Sequence, residues 1–439
     1  MGIIRETLKE TALVSANNTI AFFLGFLTTI ITINLLGAKQ FGILALSMSI
    51  LSIITLILDM GLSKLVVSEA ARPKNENKGL LLGYGIIQTI ISITIGTIII
   101  IFSKSISELL SYEIQQILIL IGALVVLSGI KNTIITTLQT ETKFSTYGKL
   151  LLLESLFRLI LITIFLNFLT KKTEYVLLAY LITEFIIAIL FLKSITIKKT
   201  TFKEELKEVK NLLTIIKQHG KWSFVISLLR SIESNLPIWI IQTFLGTTAV
   251  GIYSALLKIQ TTAIRLFEPL ETILYPTISK ISQTKDYEKM IYRTTKYILY
   301  LSLPITLVFI IFSEQIIDFT IGKEFTPYSN IFRIIILAIP LFIINIPQKP
   351  FLFTMKAQKQ LAIIALILLI FTITFGTTMT IYFGLIGIAI SEIVKLILEL
   401  TEKNILISKI SQKRIKLEDI ITPDYNDKEI LRKILKAKK

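Results

Sequence analysis

The sequence predicts an all-α polytopic membrane protein with twelve transmembrane helices in two related halves of six. Three observations carry this. Of 439 residues, 53% are hydrophobic and the mean hydropathy is +0.73, too apolar for a water-soluble globule. Apolar runs of about 18–25 residues recur, and each can cross a hydrocarbon core of about 30 Å as a helix. A short glycine motif near the start recurs midway along the chain.

The spans fall at roughly 12–36, 41–63, 79–102, 115–138, 149–169, 174–195, 221–245, 250–275, 295–313, 328–354, 358–383 and 384–407. The first is too long for a signal-peptide core and is followed at once by another, so it reads as a retained helix. A net charge of +17 could point to nucleic acid, but the basic residues alternate by loop. The N-terminus, the even-numbered loops and the tail collect most of them, whereas the opposite side holds Lys39, Lys104, Lys171, Lys172 and Lys323. The positive-inside rule then places both termini in the cytoplasm, with the chain in the cell membrane and no nucleic-acid partner. Cysteine is absent, which excludes disulfides, thiol catalysis and Cys-ligated metal.

Four segments are expected: an N-lobe over 1–195, a cytoplasmic amphipathic linker over 196–220, a C-lobe over 221–407 and a basic tail over 408–439. Within the N-lobe, Leu36-Gly37 and Gly42-Ile43 bracket a tight turn between the first two helices. Asp59 ends the second helix. It reads either as a cation-coupling acid or as a helix-end acid within reach of Lys64. In the fifth helix Glu154 and Arg158 lie four residues apart and can pair. Glu184, near the middle of the sixth, reads as a proton or sodium site or as a contact to Arg158.

The linker's Phe202, Leu206, Val209, Leu213 and Ile216 follow helical spacing, with Lys and Glu on the other face. This suits a helix lying on the inner leaflet. The sole histidine, His219, ends it and reads as solvated. Leu245-Gly246 and Gly251-Ile252 then repeat the earlier turn at a constant offset of 209 residues. An even number of spans per half makes the repeats parallel, about an axis along the membrane normal. Prolines break the symmetry: eight of ten fall between Pro237 and Pro350, and six of them (Pro237, Pro269, Pro304, Pro340, Pro347 and Pro350) are expected to kink or open helices of the C-lobe.

The charges inside the spans are the candidate site. Arg230, Glu233, Ser234 and Pro237 cluster on the seventh helix. Lys258 and Arg265 are seven residues apart and share a face of the eighth with Thr261, Thr262 and Glu268. Glu392, Lys395 and Glu399 form one stripe on the twelfth. Counting rise places Arg158, Arg230, Lys258 and Lys395 at one depth, about halfway across. Together with Arg265 they are expected to line a basic cavity between the lobes, suited to an anionic head group. The alternative is local pairing: Arg158 with Glu154, Arg230 with Glu233, Lys258 or Arg265 with Glu268, and Lys395 with Glu392. Asp59, Glu184 and Glu233 are the candidates for cation coupling. No catalytic residues, cofactor or metal site are expected. No phosphate-binding glycine loop and no long outward loop are found, so ATP hydrolysis and an outward enzymatic domain are not expected, and secondary transport remains.

Leu36-Gly37…Phe41-Gly42-Ile43, Asp59-Met60-Gly61-Leu62, Leu245-Gly246…Val250-Gly251-Ile252-Tyr253 and Ile321-Gly322-Lys323-Glu324-Phe325 resemble signature positions of the polysaccharide-exporter branch of the MOP flippase superfamily, nearest to the Wzx-type O-antigen flippases. The resemblance covers essentially all twelve spans. It implies two six-helix bundles in a V around a central cavity, and a polyprenyl-diphosphate-linked oligosaccharide moved between leaflets. It further implies alternating access coupled to H+ or Na+. A monomer is expected. A cationic-drug exporter of the same superfamily, a membrane polymerase or ligase, and a scaffold are the rival readings. Lipid II flippases of the superfamily usually carry two further C-terminal helices that this sequence lacks.

Overall fold

The computed structural model describes residues 2–59, 62–63, 66–67, 78–109, 114–194, 221–267, 287–355 and 357–411. The amphipathic linker, His219, Lys64, Glu268, Pro269 and most of the basic tail lie outside the described residues. Nearly everything described is helical, with no strand among the described residues.

Nine helical runs among the described residues are long and apolar enough to cross a membrane. Two of them hold a pair of helices each. The run Gly2–Asp59 breaks at Gly37 into α1 (2–36) and α2 (38–59), and the run from Gln358 to Ser411 breaks at Gly384 into α11 (358–383) and α12 (385–411). The remaining spans are α3 (Lys78–Ile101), α4 (Gln115–Thr140), α5 (Phe144–Phe168), α6 (Thr173–Phe191), α7 (Lys221–Leu245), α8 (Thr247–Arg265), α9 (Tyr287–Ile311) and α10 (Ser329–Thr354). With α8, whose composition is less apolar than the rest, this makes the twelve expected. Ile90, Ile101, Phe168, Leu169, Ile311 and Phe319 stand exposed on the outside. A helix apolar all round and bare on one side suits a hydrocarbon solvent.

The pair α1 and α2 packs on α5, α3 on α4, and α4 and α5 on α6. In the second half α9 packs on α10, α10 on α12, and α7 on α11 and α12. The principal bridge between halves runs from the α1–α2 pair to α7 and α8.

That bridge is built on the repeated motif. Gly37 (φ 70°, ψ 174°) and Gly246 (φ 83°, ψ 176°) adopt the same conformation, one that L side chains rarely enter. Each sets the start of its helix so that Gly42 and Gly251 face one another. A Cβ on Gly42 would lie 2.0 Å from the Thr247 carbonyl oxygen, and one on Gly251 would lie 1.7 Å from that of Ala38. Ala38 and Thr247 are themselves the matching positions of the two copies, so the contact is reciprocal. The α9–α10 connection fastens the same end: Asn34 Nδ2 donates to the Thr320 carbonyl at 2.8 Å, and the Ala38 amide donates to Glu324 Oε1 at 3.3 Å.

Pro237 and Pro304 lie inside α7 and α9, which continue through them. Each lacks the amide that a helix would direct at the carbonyl one turn back, that of Glu233 for Pro237 and that of Tyr300 for Pro304. In α10, where the same holds for Pro340 and Ile336, Gln260 Nε2 from α8 donates to the adjacent Ile335 carbonyl at 2.6 Å.

Replacing Gly42 or Gly251 by Val is expected to destabilise the protein by about 1–3 kcal/mol, the usual penalty of overpacking. Gly25, with nothing within 4 Å of an added Cβ, should accept Ala without loss. Thermal unfolding in detergent distinguishes the three variants.

Candidate functional site

Charge enters the interior at two places. In the first half, Lys131 of α4 reaches Glu154 Oε1 of α5 at 2.6 Å and Glu184 Oε1 of α6 at 2.7 Å. Arg158 pairs with Glu154 one turn earlier and with Glu184 at 2.6 Å, and its guanidinium carbon lies 4.4 Å from the centre of the Tyr180 ring. Two cations and two buried carboxylates thus tie α4, α5 and α6 together with no net charge. Glu184 is therefore not an unpaired mid-membrane acid. Of its two readings, contact with Arg158 is the one realised, which leaves it less suited to carry a coupling cation.

Asp59 is held differently. Its carboxylate accepts from the Ser63 amide at 3.2 Å, the Ser63 hydroxyl at 2.9 Å and the Tyr84 hydroxyl at 3.1 Å. Gln88 bonds the neighbouring Leu58 carbonyl at 2.8 Å. The residue behaves as a helix-end acceptor that ties α2 to α3.

In the second half the network joins α7 to α12. Arg230 reaches Glu399 at 2.7 Å and Glu233 only at 3.9 Å. Lys395 lies 2.6 Å from both Glu233 and Glu392. Lys403 reaches Glu399 at 2.7 Å and Asn345 of α10 at 2.7 Å. Positions 392, 395, 399 and 403 fall on one stripe of α12, from which Lys395 and Glu399 reach α7 and Lys403 reaches α10.

This network forms one wall of a cavity of about 740 Å³. Ser52 and Leu56 of α2 contribute the side nearest the first half, and Asn235 donates to Ser52 at 3.1 Å across it. Ser227, Ser231 and Ser234 of α7 add hydroxyls, Tyr253, Gln260 and Thr261 of α8 add polar groups, and Phe342 of α10 an aromatic face. Its charged lining is Arg230 and Lys395 with Glu233, Glu392 and Glu399.

The expectation that Arg158, Arg230, Lys258, Arg265 and Lys395 line one basic cavity differs from the structure on two counts. Arg158 belongs to the first-half cluster. Arg230 and Lys395 do line the cavity, but each is already matched by carboxylates, because an unmatched charge in a bilayer interior costs several kcal/mol. The expected partner of Lys395 is found; that of Arg230 is found only as a weak second contact behind Glu399. Lys258 and Arg265 are exposed on α8, on the face that carries Thr261 into the cavity. Arg333, inside α10, pairs with Glu314 at 3.3 Å.

Two network members escaped sequence reasoning. Lys131 lies two turns from the end of its span, where a lysine usually snorkels outward. Lys403 continues the α12 stripe by one more turn, a signal that was present in the spacing.

The described residues form twelve spans in two related halves, with a charged cavity walled by their helices. Solved structures bear this out at the level of fold. The chain is similar to the lipid II flippase MurJ in an inward closed conformation (TM-score 0.73, 16% identity, covering 93% of this chain and 89% of that one). It is equally similar to an inward-facing multidrug resistance MATE family transporter of the MOP superfamily (TM-score 0.73, 15% identity, 92% and 100% covered). A MOP superfamily transporter from Pyrococcus furiosus, described as having a binding pocket of reverse polarity, aligns with TM-score 0.57 at 16% identity over 92% and 94% of the two chains. The fold is that of the MOP flippase superfamily. A search of curated protein sequences gave no match. The family model described as "Polysaccharide biosynthesis protein" matches residues 33–330, more than half of the chain, and the protein belongs to that family.

Replacing Lys131 by Met leaves Glu154 and Glu184 with Arg158 alone. It is expected to cost about 3–5 kcal/mol, the usual loss on breaking a buried pair. Adding Glu184→Gln should recover part of that loss, measurable as a double-mutant cycle on unfolding in detergent.

Proposed function

We propose that this protein flips a polyprenyl-diphosphate-linked oligosaccharide across the cytoplasmic membrane, serving assembly of a surface polysaccharide such as an O-antigen. The observation that carries the reading is a cavity of about 740 Å³, lined mainly by apolar surface into which hydroxyl, amide and charged groups are set, inside a chain of the polysaccharide biosynthesis family. The volume lies within the range of small-ligand sites and takes a few sugar rings at a time. Ser227, Ser231, Ser234 and Asn235 on α7 would bond sugar hydroxyls from this lining. Arg230 and Lys395 meet the head group by exchanging carboxylate partners for phosphate oxygens. Lys258 and Arg265, exposed on the α8 face that leads from Thr261, take the diphosphate at the cavity mouth. The polyprenyl tail stays in the bilayer.

In this reading both termini are cytoplasmic, the protein works as a monomer without enzymatic activity, and the lobes 1–195 and 221–407 rock about the Gly42–Gly251 contact in alternating access. A cation gradient, H+ or Na+, supplies the drive, with Asp59, Glu184 and Glu233 as the acids first considered for it. One observation favours a second reading, export of cationic small molecules. The cavity is lined by three carboxylates against two cations.

Proteoliposomes separate the two. Flipping of a polyprenyl-diphosphate oligosaccharide without efflux of cationic drugs is the expected result, and the reverse pattern replaces the proposal with the drug exporter. The double variant Lys258→Ala, Arg265→Ala should keep its melting temperature, since both residues are exposed. Its flipping rate should fall at least about tenfold, the effect of losing roughly one charge-assisted hydrogen bond. Unchanged flipping would remove these residues from the site.

A further inference from the structure

The second-half network shares its charge unevenly. Glu399 Oε1 receives both Arg230 and Lys403 at 2.7 Å, two cations on one carboxylate. Lys395 stands in the opposite position, 2.6 Å from each of two carboxylates, Glu233 and Glu392. Arg230 lies too far from Glu233, at 3.9 Å, to redress this. Glu392 also keeps one oxygen, Oε1, buried and without a hydrogen-bond partner.

The groups around Glu392 can be named element by element. α7 presents Arg230 and Glu233, α8 presents Tyr253, and α12 itself presents Lys395 and Glu399. α10 contributes Ile335, Ala338 and Phe342 to the same cavity, none of which titrates. Lys395 is thus the single cation in contact with Glu392 among the described residues, and Glu233 holds it equally closely. A buried carboxylate that must share its cation this way is satisfied by a proton on its bare oxygen.

We propose that Glu392 carries an exchangeable proton in the second-half cavity, shared with Glu233 across Lys395, and that this proton sets the cavity's affinity for anions. With the acids Glu233, Glu392 and Glu399 ionised, the cations Arg230, Lys395 and Lys403 balance them. With Glu392 protonated, the network carries one net positive charge. Proton and anion binding therefore reinforce each other, and the linkage is reciprocal. The proton exchanges with water through the cavity, and no bond other than O–H forms or breaks. The link to a head group rests on the flippase reading above. The proton site does not.

Infrared spectroscopy of the full chain in detergent reads the proton directly. On stepping the pH from basic to acidic, wild-type protein should gain the carbonyl stretch of a protonated carboxylic acid, and E392Q should lack that component. E154Q, in the first-half cluster, should retain it. In E233Q, Lys395 is left to Glu392 alone, so the band should appear only at lower pH. No such band, or one that survives in E392Q, overturns the proton site. For the linkage, calorimetric binding of inorganic pyrophosphate is compared between wild type and E392Q across the same pH range. Their affinity ratio should change at least tenfold, because the probe's own titration cancels in the ratio. A constant ratio beside a confirmed band overturns the linkage and the head-group role of this cavity while leaving the proton in place.

Discussion

The low polarity of the bilayer interior governs the rest of this structure. A charge there must be matched, and matching needs a second helix. Six ionic side chains on α7 and α12 and four on α4, α5 and α6 obey this by joining helices distant in sequence. Arg230 and Glu399 are 169 residues apart, Lys131 and Glu184 are 53. The price of admitting charge is thus also what sets which helices stay together within each half. A cluster with equal numbers of both signs is a fastener. One with an uneven local share becomes chemically responsive.

The two clusters illustrate that difference. In the first half each carboxylate faces both cations, and Tyr180 covers the guanidinium, so the charges are evenly shared although Glu184 Oε2 and Arg158 Nε stay buried without a hydrogen-bond partner. In the second half the cations crowd on Glu399 while Glu233 and Glu392 divide Lys395. That half also holds the cavity and most of the prolines. Pro237 lies one turn beyond Glu233 and offers its carbonyl no amide. The cavity thus lies in the lobe where local rules are most often broken, the pattern expected where structure serves chemistry.

Much of the fold was legible in the sequence. Span lengths depend on hydrocarbon thickness alone, and the repeated Leu-Gly…Gly-Ile turn announced the duplication. α8 was read from its apolar run over 250–275, and the repeated turn before it matches it to α2. The site was legible only in part. Arg230, Glu233 and Lys395 were identified as charges inside spans, and the Glu154–Arg158 and Glu392–Lys395 pairs follow from helical spacing. Which distant acid neutralises which cation did not follow, because one-dimensional spacing reports only neighbours on the same helix. Lys131 and Lys403 were hidden for a related reason: near a span's end, the sequence does not say whether a lysine turns outward to water or inward to a carboxylate.

The reciprocal contact of Gly42 with Thr247 and Gly251 with Ala38 is self-complementary, the same patch of each half meeting its counterpart about a two-fold axis, which is the geometry of an isologous dimer. Two copies of one six-helix unit that pack through the same patch have this geometry. The glycines at both positions keep that symmetry, whereas the charge clusters, built on α4, α5 and α6 in one half and on α7 and α12 in the other, depart from it.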